Sequence, residues 1–432
     1  LNLKFFRNFA FDLAFIKAMT ASQFSQVLVM PAHRETASDV IECIESYLAC
    51  AQSELGFPVI VIIVLNDRNL EQATEAKAVT DWCAASSAQA LGLNDPWTLG
   101  QRLGHSILIW QGLDALFLFD EKSGVGRARR IGSDAAAQLI DSGHVICPWI
   151  RAIDADSRAP AQFFKSIERL KSQVGLATYP FWHEPASEAA IIYELSLRYY
   201  LLGLSWASSP WAYQSVGSSQ VVHVESYKKV RGYPNLLAGE DFHLAAKVAK
   251  TAPIIRLNKT EPIKLSGRQS SRVPFGTGVG VTRIQVNLQQ QVEPTFYNPK
   301  CFQALRVINQ NLNEVVASQS PRALSSNKPE ALSSDIWAEV LKTSGLGIES
   351  IQRCLSSSPN RSSQLKSLRN QFDALNTLHC VHALESAVFK AQPWSVALSD
   401  ASWLNIQDAT LARQKLFQLE DELTELIHSA SS

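Results

Sequence analysis

Val59-Ile60-Val61-Ile62-Ile63-Val64-Leu65 is an uninterrupted apolar run, β-branched at every position but the last. It has no polar face, which suits a central strand covered by helices on both sides rather than a strand with one wet face. Upstream, Gln26–Met30 reads as a second strand. Between the two, Thr36-Ala37-Ser38-Asp39 has capping-box spacing and precedes Val40, Ile41, Ile44, Tyr47 and Leu48 at helical intervals. That is one β-α-β unit. Downstream, Ala115–Phe119, Trp149–Ile153, Leu176–Tyr179 and Val221–Val224 read as further short strands separated by helical stretches. The expected fold is α/β: a layered, mostly parallel sheet with helices on both faces.

The 432 residues are 46% hydrophobic and 19% charged, which excludes disorder as the main state. Forty Lys and Arg balance forty Asp and Glu, so no global field draws in nucleic acid or an anionic membrane, and a bound anion must be held locally. Seven cysteines without a Cys-x-x-Cys pair exclude a zinc ribbon and fit a reducing, cytoplasmic setting. The Phe-rich opening, residues 1–25, is interrupted by Lys4, Arg7, Asp12 and Lys17. It reads as an amphipathic helix packed on the domain, with a membrane-surface anchor as the alternative. Neither a signal peptide nor a transmembrane segment is expected.

The main domain is placed at residues 26–310. A linker follows at 311–334, where Ser318–Ser334 is rich in Ser, Pro, Asn and Lys. Residues 335–432 form a helical appendage. One stripe there runs Leu365, Leu368, Phe372, Leu375, Leu378, Val381, Leu384 and Val388, another Leu416, Leu419, Leu423 and Leu426. Packing, or contact with a second copy of the chain, suits this part better than chemistry.

In an open α/β sheet ligands collect beyond the carboxyl ends of the strands. The polar residues there are His33-Arg34-Glu35, Asn66-Asp67-Arg68, the stretch Asp120–Arg130 and Asp154-Ala155-Asp156. A bend between Asp154 and Asp156 aims both carboxylates at one hard cation, which takes oxygen ligands and naturally bridges phosphates. Gly124 and Gly126 allow close approach to an anion, for which Lys122, Arg127 and Arg130 supply charge. For Arg127, Arg129 and Arg130 the competing reading is a solvated helix face, expected of at least one of them. Glu240-Asp241 opens a helix; as dipole-favoured N-terminal acids they need no further role, or they line the acceptor side of the cleft as a general base. Fixed cations beside a departing diphosphate lower its barrier, and Lys122, Arg268 and Arg272 are the candidates. Residues 179–213 are dense in aromatic rings, either a buried helix or sugar-stacking faces. Trp182, His183, Glu184 and Gly217 are the acceptor-site candidates. His379 and His382 read as packing residues.

Together, Leu-Val-Met-Pro-Ala-His-Arg-Glu, Asn66-Asp67, Gly-x-Gly-x-Ala-Arg, Asp-x-Asp and a Gly-Tyr-Pro stretch leading into Glu-Asp occur in the order found in family 2 glycosyltransferases. Residues 26–280 resemble that family. The resemblance implies a GT-A (Rossmann-like) fold and a hexosyltransferase-type activity using a nucleoside-diphosphate sugar and a small or soluble acceptor. It further implies Mn²⁺ or Mg²⁺ on Asp154 and Asp156, inversion at the sugar carbon with Asp241 as base, and nucleoside contacts from Pro31, Ala32, Glu35 and Asp67, with Asn66 beside them. His243 is a candidate third metal ligand, as in some relatives, or a packing residue. The sequence departs from the pattern at His33-Arg34-Glu35, at Asn66, and in the long spacing from Asp67 to Asp154, which suggests extra helices in residues 70–112 and a lid as one option. Gln269-Ser270-Ser271-Arg272 ends in Val273 where processive synthases carry Trp, so no polymerase is inferred. The rival readings are a sugar nucleotidyltransferase and a catalytically idle nucleotide-sugar-binding protein. A dinucleotide dehydrogenase is disfavoured because Gly124-Val125-Gly126-Arg127-Ala128-Arg129 lacks the third Gly and does not follow the first strand.

Overall fold

The computed structural model describes residues 23–65, 73–84, 89–90, 97–102, 104–111, 124–168, 170–257, 260–268, 276–406 and 411–430. It divides into two compact units, Leu1–Ala186 with Ser215–Thr282 and Ser187–Gln214 with Arg283–Ser432. The opening amphipathic helix, Asn66, Asp67, the strand at Ala115–Phe119, Lys122 and Arg272 lie outside the described residues.

The first unit is layered α/β. Its strands are β1 (Val27–Ala32), β2 (Ile60–Leu65), β3 (Gln89–Ala90), β4 (Trp97–Arg102), β5 (His105–Gln111), β6 (Trp149–Ala152), β7 (Leu176–Thr178), β8 (Phe181–His183), β9 (Gln220–His223), β10 (Ile254–Arg256) and β11 (Ile263–Leu265). Nine form one sheet in the order β10-β7-β9-β6-β1-β2-β5-β4-β3. Its centre, β6-β1-β2-β5, is parallel, while β9 runs antiparallel to both β6 and β7 and β4 antiparallel to β5. β8 and β11 pair separately, in parallel.

Among the described residues of 70–112 stand one helix, α2 (Ala73–Ala84), and the strands β3, β4 and β5, where the sequence suggests extra helices. Gly104, at φ +76°, makes the tight turn between β4 and β5 in a conformation that glycine adopts without steric cost.

Helix α1 (Ala37–Glu54) begins where the capping signal places it: Thr36 Oγ1 accepts from the Asp39 amide at 3.1 Å. Helix α3 (Val125–Asp141) packs on the sheet through Gly132, where a Cβ would lie 2.5 Å from Val29 Cγ1 and 3.2 Å from Val64 Cγ2. Side chains alternate along a strand, so Leu28 and Met30 point to the opposite face, and they too are fully buried. Both faces of the central strands are therefore covered, as the two-sided apolar run at 59–65 requires.

Helix α4 (Glu188–Trp206) belongs to the second unit, while α5 (Val224–Lys229) and α6 (Glu240–Ala249) belong to the first. The rings of α4 are core: Tyr199 is 1% exposed, packs on Phe296 and Phe302, and donates its hydroxyl to the Tyr297 carbonyl at 2.7 Å. α7 (Thr277–Gln289) carries the chain across the division, and α8 (Pro299–Ser318) begins the main helical run. Where the sequence suggests a linker, the end of α8 and α9 (Arg322–Ser326) stand, with Leu324 and Leu332 buried.

The remaining helices are α10 (Ser334–Thr343), α11 (Ile348–Ser356), α12 (Arg361–Gln371), α13 (Ala374–Ala387), α14 (Trp394–Asp400) and α15 (Ala412–Ala430), with a small antiparallel pair, β12 (Thr295–Phe296) and β13 (Gln392–Pro393). The leucine stripe from 365 to 388 is two helices, because Asp373 accepts from the Leu375 and Asn376 amides and starts α13 afresh. A buried ionic cluster joins α4 to α15: Arg198 pairs with Glu194 and Glu420, and Arg413 pairs with Glu194 at 3.1 Å.

Candidate functional site

The strand order reverses beside β1: β2 and then β5 lie on one side, while β6, reached later in the chain, lies on the other. Such a switch point leaves a crevice at the carboxyl ends of β1 and β6. The loops that open there carry Glu35 and the Asp154–Asp156 turn.

That turn is held from below by α1. Ser157 Oγ, fully buried, donates to the Asp154 carbonyl at 2.7 Å and meets the Tyr47 hydroxyl at 3.0 Å, and Cys43 Sγ donates to the same carbonyl at 3.3 Å. Burial pushes the Cys43 thiol up to about 12, so it serves as a neutral donor here. Arg158 then pairs with Glu42, and its backbone bridges to Lys264 of β11.

Two arginines organise the carboxylates. Arg268, following β11, pairs through Nη2 with Glu35 and with Asp156 (3.2 Å), and through Nη1 with Asp39 (3.3 Å). Against the opposing effect of burial, these carboxylates hold its guanidinium above the usual arginine value. Arg129, in the first turns of α3, is 4% exposed and lies 2.5 Å from Asp154 Oδ1 through Nη2 and 2.9 Å from Glu240 Oε1 through Nε. Burial alone would lower its pKa, yet Asp154 and Glu240 raise it. Sequence reasoning allowed Arg129 a solvated face; it is instead the centre of the site. Its signal was present in the Ala-Arg that closes the glycine motif, but only the fold shows which arginine turns inward.

The glycines preceding it face protein. A Cβ on Gly126 would lie 2.5 Å from the Pro234 carbonyl oxygen, and its amide donates to the Leu236 carbonyl at 3.1 Å. A Cβ on Gly124 would meet Leu237 backbone at 2.6 Å. The close approach expected for an anion is made by the 234–237 segment of this chain. Arg130 belongs to the same clamp, donating to the Tyr233 carbonyl at 3.3 Å and lying 3.6 Å from Asp134. Arg127 is half-buried.

This clamp sets the start of α6. Gly239, at φ +76°, turns the chain into the helix, and Glu240 and Asp241 occupy its first turn. Glu240 is 2% exposed and bound to Arg129, whereas Asp241 is half-buried and accepts from the Phe242 amide at 2.7 Å and from the Gly217 amide. Burial pushes both carboxyls up, with Arg129 acting against it. His243 lies further along the turn, its ring edge-on to Phe242.

Among the acceptor candidates, Gly217 is buried because the Arg129 guanidinium fills the space beside it: a Cβ would lie 2.6 Å from Cζ. His183 is 1% exposed against Phe181, Trp182 is half-buried, and Glu184 is exposed and paired with Lys264 at 2.9 Å. Pro31 and Ala32 are buried within β1.

No group of three His, Cys, Asp or Glu able to cage a metal occurs among the described residues. Asp154 and Asp156, with side chains 37% and 24% exposed, are paired with Arg129 and Arg268 respectively, and offer at most two carboxylates to a cation. Among the described residues no helix is long and apolar enough to cross a membrane.

No family model matches this chain, and no curated protein matches it. Solved structures similar to it include a mycobacterial protein, 14% identical over 66% of this chain and 82% of that one, with a TM-score of 0.34. They also include a mannosyltransferase, PcManGT from Pyrobaculum calidifontis, in complex with GDP-Man and Mn²⁺, 13% identical over 94% of this chain and 87% of that one, with a TM-score of 0.34. Both are too distant for chemistry to be read from them.

Proposed function

We propose that the first unit is a glycosyltransferase that moves a sugar from a nucleoside diphosphate to an acceptor hydroxyl with inversion. The observation that carries this reading is the convergence, at the switch-point crevice, of the Asp154–Asp156 turn with the acidic N-terminus of α6, joined through Arg129. A carboxylate pair suited to a cation–diphosphate complex thus shares one site with a half-buried carboxylate suited to proton abstraction.

Asp154 and Asp156 would hold Mn²⁺ or Mg²⁺, whose charge stabilises the departing diphosphate. Glu35, with the β1 end at Pro31 and Ala32, would border the nucleoside. Asp241, oriented by the amides of Phe242 and Gly217, would accept the proton of the acceptor hydroxyl as its oxygen bonds to the sugar carbon and the bond to the diphosphate oxygen breaks. Glu240 is spent on Arg129 and is not the base in this reading. Acceptor contact narrows to Trp182 and Glu184 at the end of β8, since His183 is buried and Gly217 is covered by Arg129.

The test is Asp241→Asn. Nucleotide-sugar binding, read by calorimetry, should stay within a few-fold of wild type, while transfer should fall by about 10²–10⁴. Transfer at the wild-type rate would remove Asp241 from the base position.

A further inference from the structure

Arg129 is a buried charge with two carboxylate partners from separate elements: Asp154 after β6 and Glu240 at the first position of α6. It addresses them with two different nitrogens, Nη2 and Nε. The contact with Asp154 is a hydrogen bond and that with Glu240 is a close ion pair without hydrogen-bond geometry, so one planar, rigid guanidinium sets the separation of the two carboxylates.

Gly217 completes the arrangement. The guanidinium packs where its side chain would be, with a Cβ only 2.6 Å from both Cζ and Nη2, and the Gly217 amide hydrogen-bonds the Asp241 carboxylate. Gln220 Nε2 donates to the Asp241 carbonyl at 3.3 Å, from the strand that follows the Gly217 turn. The residue that makes room for Arg129 therefore also holds Asp241.

Stability does not account for this construction. Removing two charges from water is costly, and a buried ion pair is often replaced by apolar side chains of similar volume without loss. Fixed geometry does account for it, because a transfer reaction needs the groups serving the leaving diphosphate and the attacking hydroxyl at a set separation. We infer that Arg129 is a positioning residue: it ties Asp154, on the donor side, to the N-terminus of α6 and hence to Asp241, on the acceptor side, with Gly217 as its necessary counterpart. This rests on the glycosyltransferase reading above.

The experiment separates positioning from stability and from the functional reading itself. Arg129→Met alone leaves Glu240 buried without a partner and is a poor test. The paired variant Arg129→Met/Glu240→Leu removes both buried charges. Its urea midpoint should stay near wild type and its nucleotide-diphosphate affinity within about threefold, while kcat falls by about 100-fold, the cost of a misplacement near 1 Å. Arg129→Lys, which keeps the charge without the fork, should not restore kcat, and Gly217→Ala, which changes no charge, should lower kcat selectively. A paired variant or a lysine variant with kcat close to wild type would overturn the inference while leaving the glycosyltransferase reading intact. One arm needs no activity: Asp154→Asn and Glu240→Gln should be non-additive in urea unfolding, because they share one guanidinium, and additive effects would overturn the link.

Discussion

Gly126 and Arg129 show how single residues of the glycine motif are used. The motif was legible in the sequence as a place of close backbone approach, and the structure contains such an approach, but to the Pro234–Leu237 backbone. Spacing along a chain reveals that a side chain is excluded, not what excludes it. The Asp154–Asp156 pair was legible as paired carboxylates and Arg268 as a cation beside them, whereas the pairing of Arg129 with Asp154 was not, since it joins two elements that only the fold brings together. At this scale Gly126→Ala should destabilise by about 1–3 kcal/mol in urea unfolding, because its Cβ would press on backbone atoms that cannot rotate away. Arg268 faces three carboxylates, Glu35, Asp39 and Asp156. Arg268→Gln should therefore strengthen Mn²⁺ binding measured without nucleotide; weaker binding would favour a supporting role for this guanidinium at the cation site.

At the scale of elements, the two-sided apolar run at 59–65 became the central β2, and the capping signal at Thr36 became the start of α1, because both depend on local pattern alone. The hairpin β4-β5 was missed. Its strands form a sheet edge whose identity depends on pairing with β2, a contact not visible in local periodicity. His105 at the start of β5 is 5% exposed and accepts from the Val59 amide at 3.2 Å through Nδ1. Burial lowers its pKa, so the folded state favours the neutral ring. The stability this gives is complete above the unfolded value of about 6.5 and is lost as pH falls through the depressed folded value. The urea midpoint should accordingly drop as the solution is acidified below about 6.5, and the drop should shrink in His105→Gln. An unchanged pH profile in that variant would move the acid sensitivity elsewhere, with His223, also depressed by burial, next in line.

At the scale of the whole molecule, the division into a layered α/β unit and a helical unit follows from the change of periodicity along the chain, but its boundary does not. The aromatic helix α4 interrupts the first unit in sequence and packs its rings with Phe296 and Phe302 in the second. A helix that is apolar on most sides does not declare which core it fills. Within the second unit, Glu420 is 2% exposed and binds both Arg198 and Gln214. Glu420→Ala should cost about 3–5 kcal/mol in urea unfolding, since it leaves Arg198 with a buried, partly uncompensated charge.

For the first unit the decisive quantity is whether the switch-point carboxylates recognise a cation together with a nucleoside diphosphate. A ligand that binds only the native state raises the melting temperature by mass action. Melting temperatures should be measured for wild type and Asp154→Asn/Asp156→Asn across nucleoside diphosphates and their sugars, each with and without Mn²⁺. The account predicts a rise for at least one nucleotide that requires Mn²⁺ and vanishes in the double variant. A panel in which no nucleotide shifts the wild-type transition, or in which the shift survives the loss of both aspartates, would contradict it.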